Sequence, residues 1–312
     1  GLALGTTPAG SIVAVQTSVA NQVNLVSFAG ADVNFWDGTG PRGDGSIAGG
    51  NGVWQASGGN DNWTVADGSV NTPYPNDAFA VFMAAPGTVM VDTTLGAVNA
   101  PGMQFASNGY TITGGAIGLT GAQSIIRVGD GTAPGAGFTA TIESNLTGAG
   151  DLMKTDLGTL VLTGASSFAG EAIVRTGGLR LADGGTLTSL NTAIGRDAGE
   201  QATLTVTGSN GGGSASTWTS GELTVGYTGT GTLNVTNGGR IVSTTGTIGL
   251  DTGGVGLALV TGAGSAWQNS GRITVGLSGT GTLRIENGAQ VSSNDGIVGG
   301  SAQGNAVITG PG

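Results

Sequence analysis

The 312-residue chain holds 65 glycines, eight prolines, no cysteine and no histidine, and its nine Lys plus Arg against nineteen Asp plus Glu leave a formal net charge of −10. Glycine without an every-third-residue period excludes collagen, and a 38% hydrophobic content is too high for a disordered linker, so the chain buries a core through many turns. The acidic balance excludes basic-patch capture of nucleic acid or anionic lipid, and the missing cysteine and histidine exclude disulfides, thiolate metal sites and most general-base chemistry.

Residues Ser11 to Val26 are only mildly apolar and lack a basic flank, so they do not read as a signal peptide. No apolar run reaches the roughly 18 residues that a membrane-spanning helix needs, so no membrane insertion is expected of this segment. Residues 1–104 are the least regular part and concentrate Trp36, Trp54, Trp63, Phe79 and Phe82. They read as a cap with the first irregular turns, because the open end of a stacked structure exposes an apolar cross-section and unpaired strand edges. An aromatic shelf for sugar is the alternative. Within this region Pro41-Arg42-Gly43-Asp44-Gly45 contains Arg-Gly-Asp, which integrins read through an exposed guanidinium and a metal-ligating carboxylate. The flanking proline and glycine favour an exposed turn. Arg42, Gly43 and Asp44 are therefore the candidate ligand-binding residues, against the plainer reading of an ordinary glycine-rich turn.

From Gly148 onward, short residues and leucines alternate at fixed spacing: Gly148, Gly150, Leu152, Lys154, Gly158, Leu160, Leu162, Gly164, Phe168 and Gly170. Lys154 is the single lysine of the chain. This run, within residues 148–185, resembles the autotransporter-associated β-strand repeat; Asp156-Leu157 departs from it, where a lone glycine or serine is usual. Asn62-Trp63-Thr64, Ala80-Val81-Phe82, Gly87-Thr88-Val89 and Gly102-Met103-Gln104-Phe105 look like the N-terminal parts of such passengers. The resemblance implies a right-handed β-helical passenger of type V secretion, carried through the outer membrane by a C-terminal β-barrel and displayed on, or released from, a Gram-negative cell. It also implies adhesion to host extracellular matrix or a cell-surface receptor, or self-association between cells.

The last third repeats itself. Gly221-Glu222-Leu223-Thr224-Val225-Gly226 aligns with Gly271-Arg272-Ile273-Thr274-Val275-Gly276 at an offset of 50, which also relates Asn237-Gly238 to Asn287-Gly288. The apolar-Gly step recurs at Ile194, Val225, Ile248, Val275 and Val298, with intervals of 31, 23, 27 and 23, so each repeat is two turns. Between steps lie two further short apolar segments, giving three short strands per turn. Such strands, separated by Gly, Asn, Thr and Ser, predict an all-β parallel β-helix in which equivalent residues stack about 4.8 Å apart. The expectation is a β-helix over residues 105–312, with tandem repeats over 194–312 and a natural chain that continues past Gly312. Val225, Ile248, Val275 and Val298 are expected inside. Thr224, Thr247 and Thr274 are expected as one exposed outward ladder, and Thr236, Thr261, Glu286 and Thr309 as another. The longest interval contains Gly211-Gly212-Gly213 and reads as a loop swollen from one corner.

Catalysis finds little support, and no catalytic, cofactor or metal residues are assigned. A glycan-degrading β-helix needs carboxylates converging on one face. Asp197 and Asp251 share a register two turns apart, but each follows an Ile-Gly step at a corner and neither has a basic or aromatic neighbour in register. Glu222, Thr245, Arg272 and Asp295 form one column, in which Arg272 and Asp295 can pair. Trp218 and Trp267 occupy the inward register of Ile241 and Val291. The reading is a non-enzymatic adhesin passenger; a surface polysaccharide-degrading enzyme and a non-binding spacer are the alternatives.

Overall fold

The computed structural model describes residues 32–208 and 213–310, with the backbone of two further strands at Ile12–Gln16 and Asn24–Phe28. The central glycines of the expected swollen loop, Gly211 and Gly212, lie outside the described residues. The chain is a parallel β-helix with three short strands per turn. One sheet of 11 strands runs from Gly52–Gln55 to Gly304–Thr309, and a sheet of 20 strands carries the other two faces. A typical turn passes through Thr159–Leu162, Ala165–Phe168 and Ala172–Val174 before Gly177–Leu181 stacks in register on Thr159–Leu162. In two turns the second and third faces fuse into single nine-residue strands, Thr217–Val225 and Arg240–Ile248.

Side-chain alternation builds the core. Leu160, Leu179, Leu204, Leu233, Ala258 and Leu283 stack as one buried inner column. Each fully buried leucine contributes about 1.5–3 kcal/mol relative to exposure. The core is continuous from Trp36 to Leu283. Val225, Ile248 and Val275 lie inside as expected. Val298 does not: it is largely exposed, because no described strand stacks beyond Asp295–Val298.

The corners follow from local chemistry. Asn237-Gly238, Asn287-Gly288 and Asp183-Gly184 each hold two successive left-handed residues, with φ of 52° and 81° in the first pair, which Asn, Asp and Gly tolerate best. Gly239 N–H then donates to the Thr236 carbonyl at 2.9 Å and closes the turn. At other corners an Asx side chain splices one turn to the next: Asn145 Oδ1 accepts from Ala165 N–H at 2.7 Å, Asp151 Oδ1 from Glu171 N–H at 2.9 Å, and Asn191 Oδ1 from Glu222 N–H at 2.9 Å.

The aromatic residues of the N-terminal region pack into a closed cluster. Trp63 stands 5.2 Å from Trp36, 5.1 Å from Trp54 and 4.7 Å from Tyr74 between ring centroids. Phe82 stacks on Phe105 at 5.0 Å and extends the cluster toward the following strands. The three tryptophans are fully buried, so the sugar-shelf alternative is overturned: rings with no exposed face cannot stack on a ligand. Short antiparallel pairings, Val33–Trp36 with Trp63–Thr64 and Trp63–Thr64 with Asn71–Thr72, fold this region across the end of the coil.

One ladder differs from expectation. Thr224, Thr247 and Thr274 stack in register but are buried rather than exposed. They alternate with inward Leu223 and Val225 and so point outward, and Arg196, Glu222 and Tyr227 flank Thr224 in a hollow of only about 70 Å³. The ladder of Thr236, Thr261, Glu286 and Thr309 stands in register as expected.

Candidate adhesive surface

The outer face of the 11-stranded sheet is a continuous surface of stacked strands. Its central column reads Thr159, Gly178, Thr203, Thr232, Leu257 and Thr282, one residue per turn. The adjacent column reads Val161, Arg180, Thr205, Asn234, Leu259 and Arg284. Threonine suits this position because its branched carbon fits a pleated strand while its hydroxyl stays in water.

Across the six strands from Thr159–Leu162 to Thr280–Glu286, the outward positions carry one carboxylate, Glu286. That carboxylate is paired with Arg284 at 2.5 Å. The acids of the chain gather on other faces. Asp151, Glu171 and Glu222 lie along a corner that also carries Asn191, with Glu171 paired to Arg196 at 2.7 Å.

One strand of the outer face carries three apolar outward residues before its final threonine. Val255–Thr261 turns Val255, 44% exposed, and Leu257, 36% exposed, into solvent, with Leu259 half-buried beside them. Sequence reasoning missed this row. Its signal is present in Val255-Gly256-Leu257-Ala258-Leu259-Val260, where both alternating faces are apolar rather than one.

The other candidate residues fall elsewhere. Arg42, Gly43 and Asp44 form an exposed turn of the N-terminal region, with Gly43 at φ +63° and its N–H donating to Asn71 Oδ1 at 2.8 Å. The Arg42 guanidinium turns back onto its own segment: Nε donates to Asp61 at 3.0 Å, Nη2 to Asn62 Oδ1 at 2.7 Å, and Nη1 to the Gly38 and Gly40 carbonyls at 3.1 Å. Asp44 accepts from the Ser46 hydroxyl at 2.7 Å and the Ser46 N–H at 2.9 Å, and these bonds hold its carboxyl below the usual range. Guanidinium and carboxylate are thus occupied within the turn.

Trp218 and Trp267 are fully buried in the register of Ile241 and Val291. Their indole N–H groups donate to Thr192 Oγ1 and Ser243 Oγ, both at 2.9 Å, within an internal chain of hydroxyls. Arg272 and Asp295 pair at 2.7 Å. Asp197, expected without a basic partner, is paired with Arg175 at 2.8 Å, and Arg175 also binds Glu200. The sequence comparison along one register missed this contact because Arg175 reaches across the corner from the preceding turn. Asp251 accepts from Thr252 N–H at 2.7 Å. Among the described residues no group of three His, Cys, Asp or Glu side chains is placed to hold a metal, and no helix is long and apolar enough to cross a membrane.

No family model and no solved structure matches the chain. A stretch of 148 residues, 47% of the chain, is 53% identical to part of the adhesin BmaC autotransporter of Brucella suis biovar 1 (strain 1330). The chain spans about 4% of that relative's length. The expected resemblance to autotransporter passengers is thereby borne out as a similarity: nearly half of the chain is similar in sequence to part of an autotransporter adhesin, and its strands coil in parallel.

Proposed function

We propose that this chain is a non-enzymatic, cell-surface adhesin segment of a Gram-negative bacterium, anchored through a C-terminal outer-membrane barrel in the full-length protein. The observation that carries this reading is the 53% identity to an autotransporter adhesin over nearly half the chain. The fold supports it. A coil whose turns are all hydrogen-bonded to their neighbours is stiff, and it holds a broad hydroxyl-rich face in a fixed spacing for multivalent contact. Residues 1–104 serve as the cap and the first irregular turns, and residues 105–312 as the display surface. The ligand class is host extracellular matrix or a host cell-surface receptor.

The test is attachment of the purified fragment to immobilised fibronectin, to collagen and to epithelial cells, beside a variant in which outward threonines Thr203, Thr205, Thr230 and Thr232 are changed to lysine. Saturable attachment by the parent and loss by the variant supports the outer face as the adhesive surface. Absence of attachment to every surface removes the reading.

Self-association between cells is the second reading, and a specific observation favours it. The exposed row Val255, Leu257 and Leu259 lies on the face where two acidic molecules can meet without opposing unpaired carboxylates.

A further inference from the structure

The outer face is not uniform: it is cut by a trench of about 680 Å³ that crosses its threonine columns near Gly178. The cause is compositional. Thr159, Thr203 and Thr232 stack in one column, but Gly178 interrupts it between Thr159 and Thr203, and Gly177 and Ala202 beside it are also small. The floor is therefore low while hydroxyls stand at both ends. Its volume falls within the range of small-ligand sites, about 300–1,000 Å³.

One wall is built by the residues that depart from the repeat pattern. Leu157 is 46% exposed and stands at the trench edge. Its position is set by Asp156, held at φ 65° by three contacts: Arg127 Nε at 2.8 Å, the N–H of Gly131 at 3.1 Å, and the buried Lys154 ammonium, which donates to the Asp156 carbonyl at 2.9 Å. A solvent-exposed leucine so firmly positioned offers an apolar surface to a ligand.

The other wall carries Arg180. The remaining seven arginines each make an ion pair or side-chain hydrogen bond to another residue: Arg42, Arg127, Arg175, Arg196, Arg240, Arg272 and Arg284. Among the described residues Arg180 alone makes neither, and no carboxylate lines the trench. An unneutralised guanidinium selects a planar carboxylate through two parallel hydrogen bonds. The flanking threonines supply donors and acceptors for hydroxyl groups, and the glycine floor lets a ring approach the backbone. The strands beneath are already paired on both sides, so an extended peptide finds no free edge to join.

We infer that the Gly177–Gly178 trench is a binding site for a carboxylate-bearing sugar, with Arg180 on the carboxylate, Thr203 and Thr232 on ring hydroxyls, and Leu157 against the apolar edge. This inference rests on the adhesion reading and names its ligand class. The net charge of −10 disfavours a long polyanion, so a terminal acidic sugar on a neutral glycan fits better than a polyuronate.

The probes are sialyllactose and a glucuronate-containing disaccharide, with lactose as the neutral control, titrated into the purified fragment by calorimetry and saturation-transfer NMR. At least one acidic probe is expected to bind saturably, and lactose at least about tenfold more weakly. Arg180→Gln is expected to weaken the acidic probe about tenfold or more without shifting the thermal melt, since the side chain is exposed and unpaired. Gly178→Thr restores the threonine column and fills the trench, and it should abolish binding while the fold persists; the nearest atoms to its new Cβ all belong to the Thr159 side chain, with Oγ1 at 2.8 Å, Cγ2 at 3.3 Å and Cβ at 3.4 Å, which must shift to admit it. Lactose binding as well as the acidic probes, indifference to both variants, or no binding of either acidic probe overturns the site. The adhesion reading is judged separately: if the fragment attaches to cells and Arg180→Gln attaches equally well, the sugar site fails and adhesion stands. If the fragment attaches to no surface yet binds sialyllactose through Arg180, adhesion fails and the site stands.

Discussion

Lys154 shows how a single side chain can be structural and titratable at once. It lies in the inner column between Ile126 and Val174, and its ammonium donates to the carbonyls of Thr155, Asp156 and Thr176 at 2.9, 2.9 and 3.1 Å. Burial pulls the amine from 10.5 down to about 7, against the opposing pull of the Asp156 charge. Because the folded value lies below the unfolded one, the unfolded chain holds a proton that the native state releases between about 7 and 10.5. Stability therefore rises with pH through that window and is lowest below it. Tyr74 and Tyr110, pushed above the ordinary phenol range by burial, act only at higher pH. Lys154→Met leaves three carbonyls without their donor and is expected to cost about 1–3 kcal/mol near pH 7. Its deficit relative to the parent should grow toward pH 9, measured by urea denaturation at both pH values; a pH-independent deficit contradicts the assigned titration. Attachment through Arg42, Gly43 and Asp44 is a further proposal under the adhesion reading. It requires release of Arg42 from Asp61 and Asn62, and it predicts that Asp44→Glu abolishes attachment to integrin-bearing cells while leaving the melt unchanged.

At the scale of one turn, the Gly-Thr-Gly-Thr-Leu segment explains why the coil repeats so closely. Gly231 lies where a Cβ would sit 2.3 Å from the Ile194 carbonyl oxygen and 2.4 Å from the Gly226 nitrogen, both backbone atoms that cannot rotate away. Gly231→Ala is therefore expected to destabilise by about 1–3 kcal/mol, read as a lower denaturant midpoint. An unchanged midpoint would mean that neighbouring turns can shift apart. The tryptophan steps are the second constraint. Trp267 is fully buried beneath Ile241 and Val291, and Trp267→Ala should cost about 3–5 kcal/mol, checked in the same titration. Removing the indole also frees the Ser243 hydroxyl from one partner, so Trp267→Phe is expected to lose less than the alanine variant but more than nothing.

At the scale of the molecule, contacts between adjacent turns dominate, and stability is approximately a sum over neighbours. Deleting residues 226–275, one offset of 50, places Gly276 directly after Val225 in an equivalent register. The shortened chain is expected to keep its β-sheet circular dichroism and a cooperative melt; loss of structure would show that the turns are not interchangeable. The same deletion removes Val255, Leu257 and Leu259. Val255→Lys with Leu257→Lys alters only outward positions, and it should abolish concentration-dependent association in sedimentation while leaving the melt within about 0.5 kcal/mol of the parent. Association that survives both charges removes the apolar row as the contact between copies.

Period and turn chemistry were legible in the one-dimensional text because they are local. The 50-residue offset, the Asn-Gly corners, the inward Trp218 and Trp267, and the Arg272–Asp295 pair all follow from residue spacing once turns stack in register. Alternation also told inward from outward, but not exposed from covered. Thr224, Thr247 and Thr274 point outward and are buried, and the hollow at Thr224 is flanked by Arg196 and Tyr227, which its own strand does not supply. The Arg175–Asp197 contact and the inward-turned Arg42 likewise depend on reach between turns, which spacing along a single register does not encode. The trench at Gly178 has the same origin: a missing side chain becomes a site only when its neighbours above and below in the stack are threonines, a relation between residues roughly 20 to 25 positions apart that folding brings to about 4.8 Å. The sequence by itself determined the coil, because a solenoid is built from local rules repeated. Tertiary structure alone decided which parts of its surface are open, because exposure is a property of stacked turns and not of any one of them.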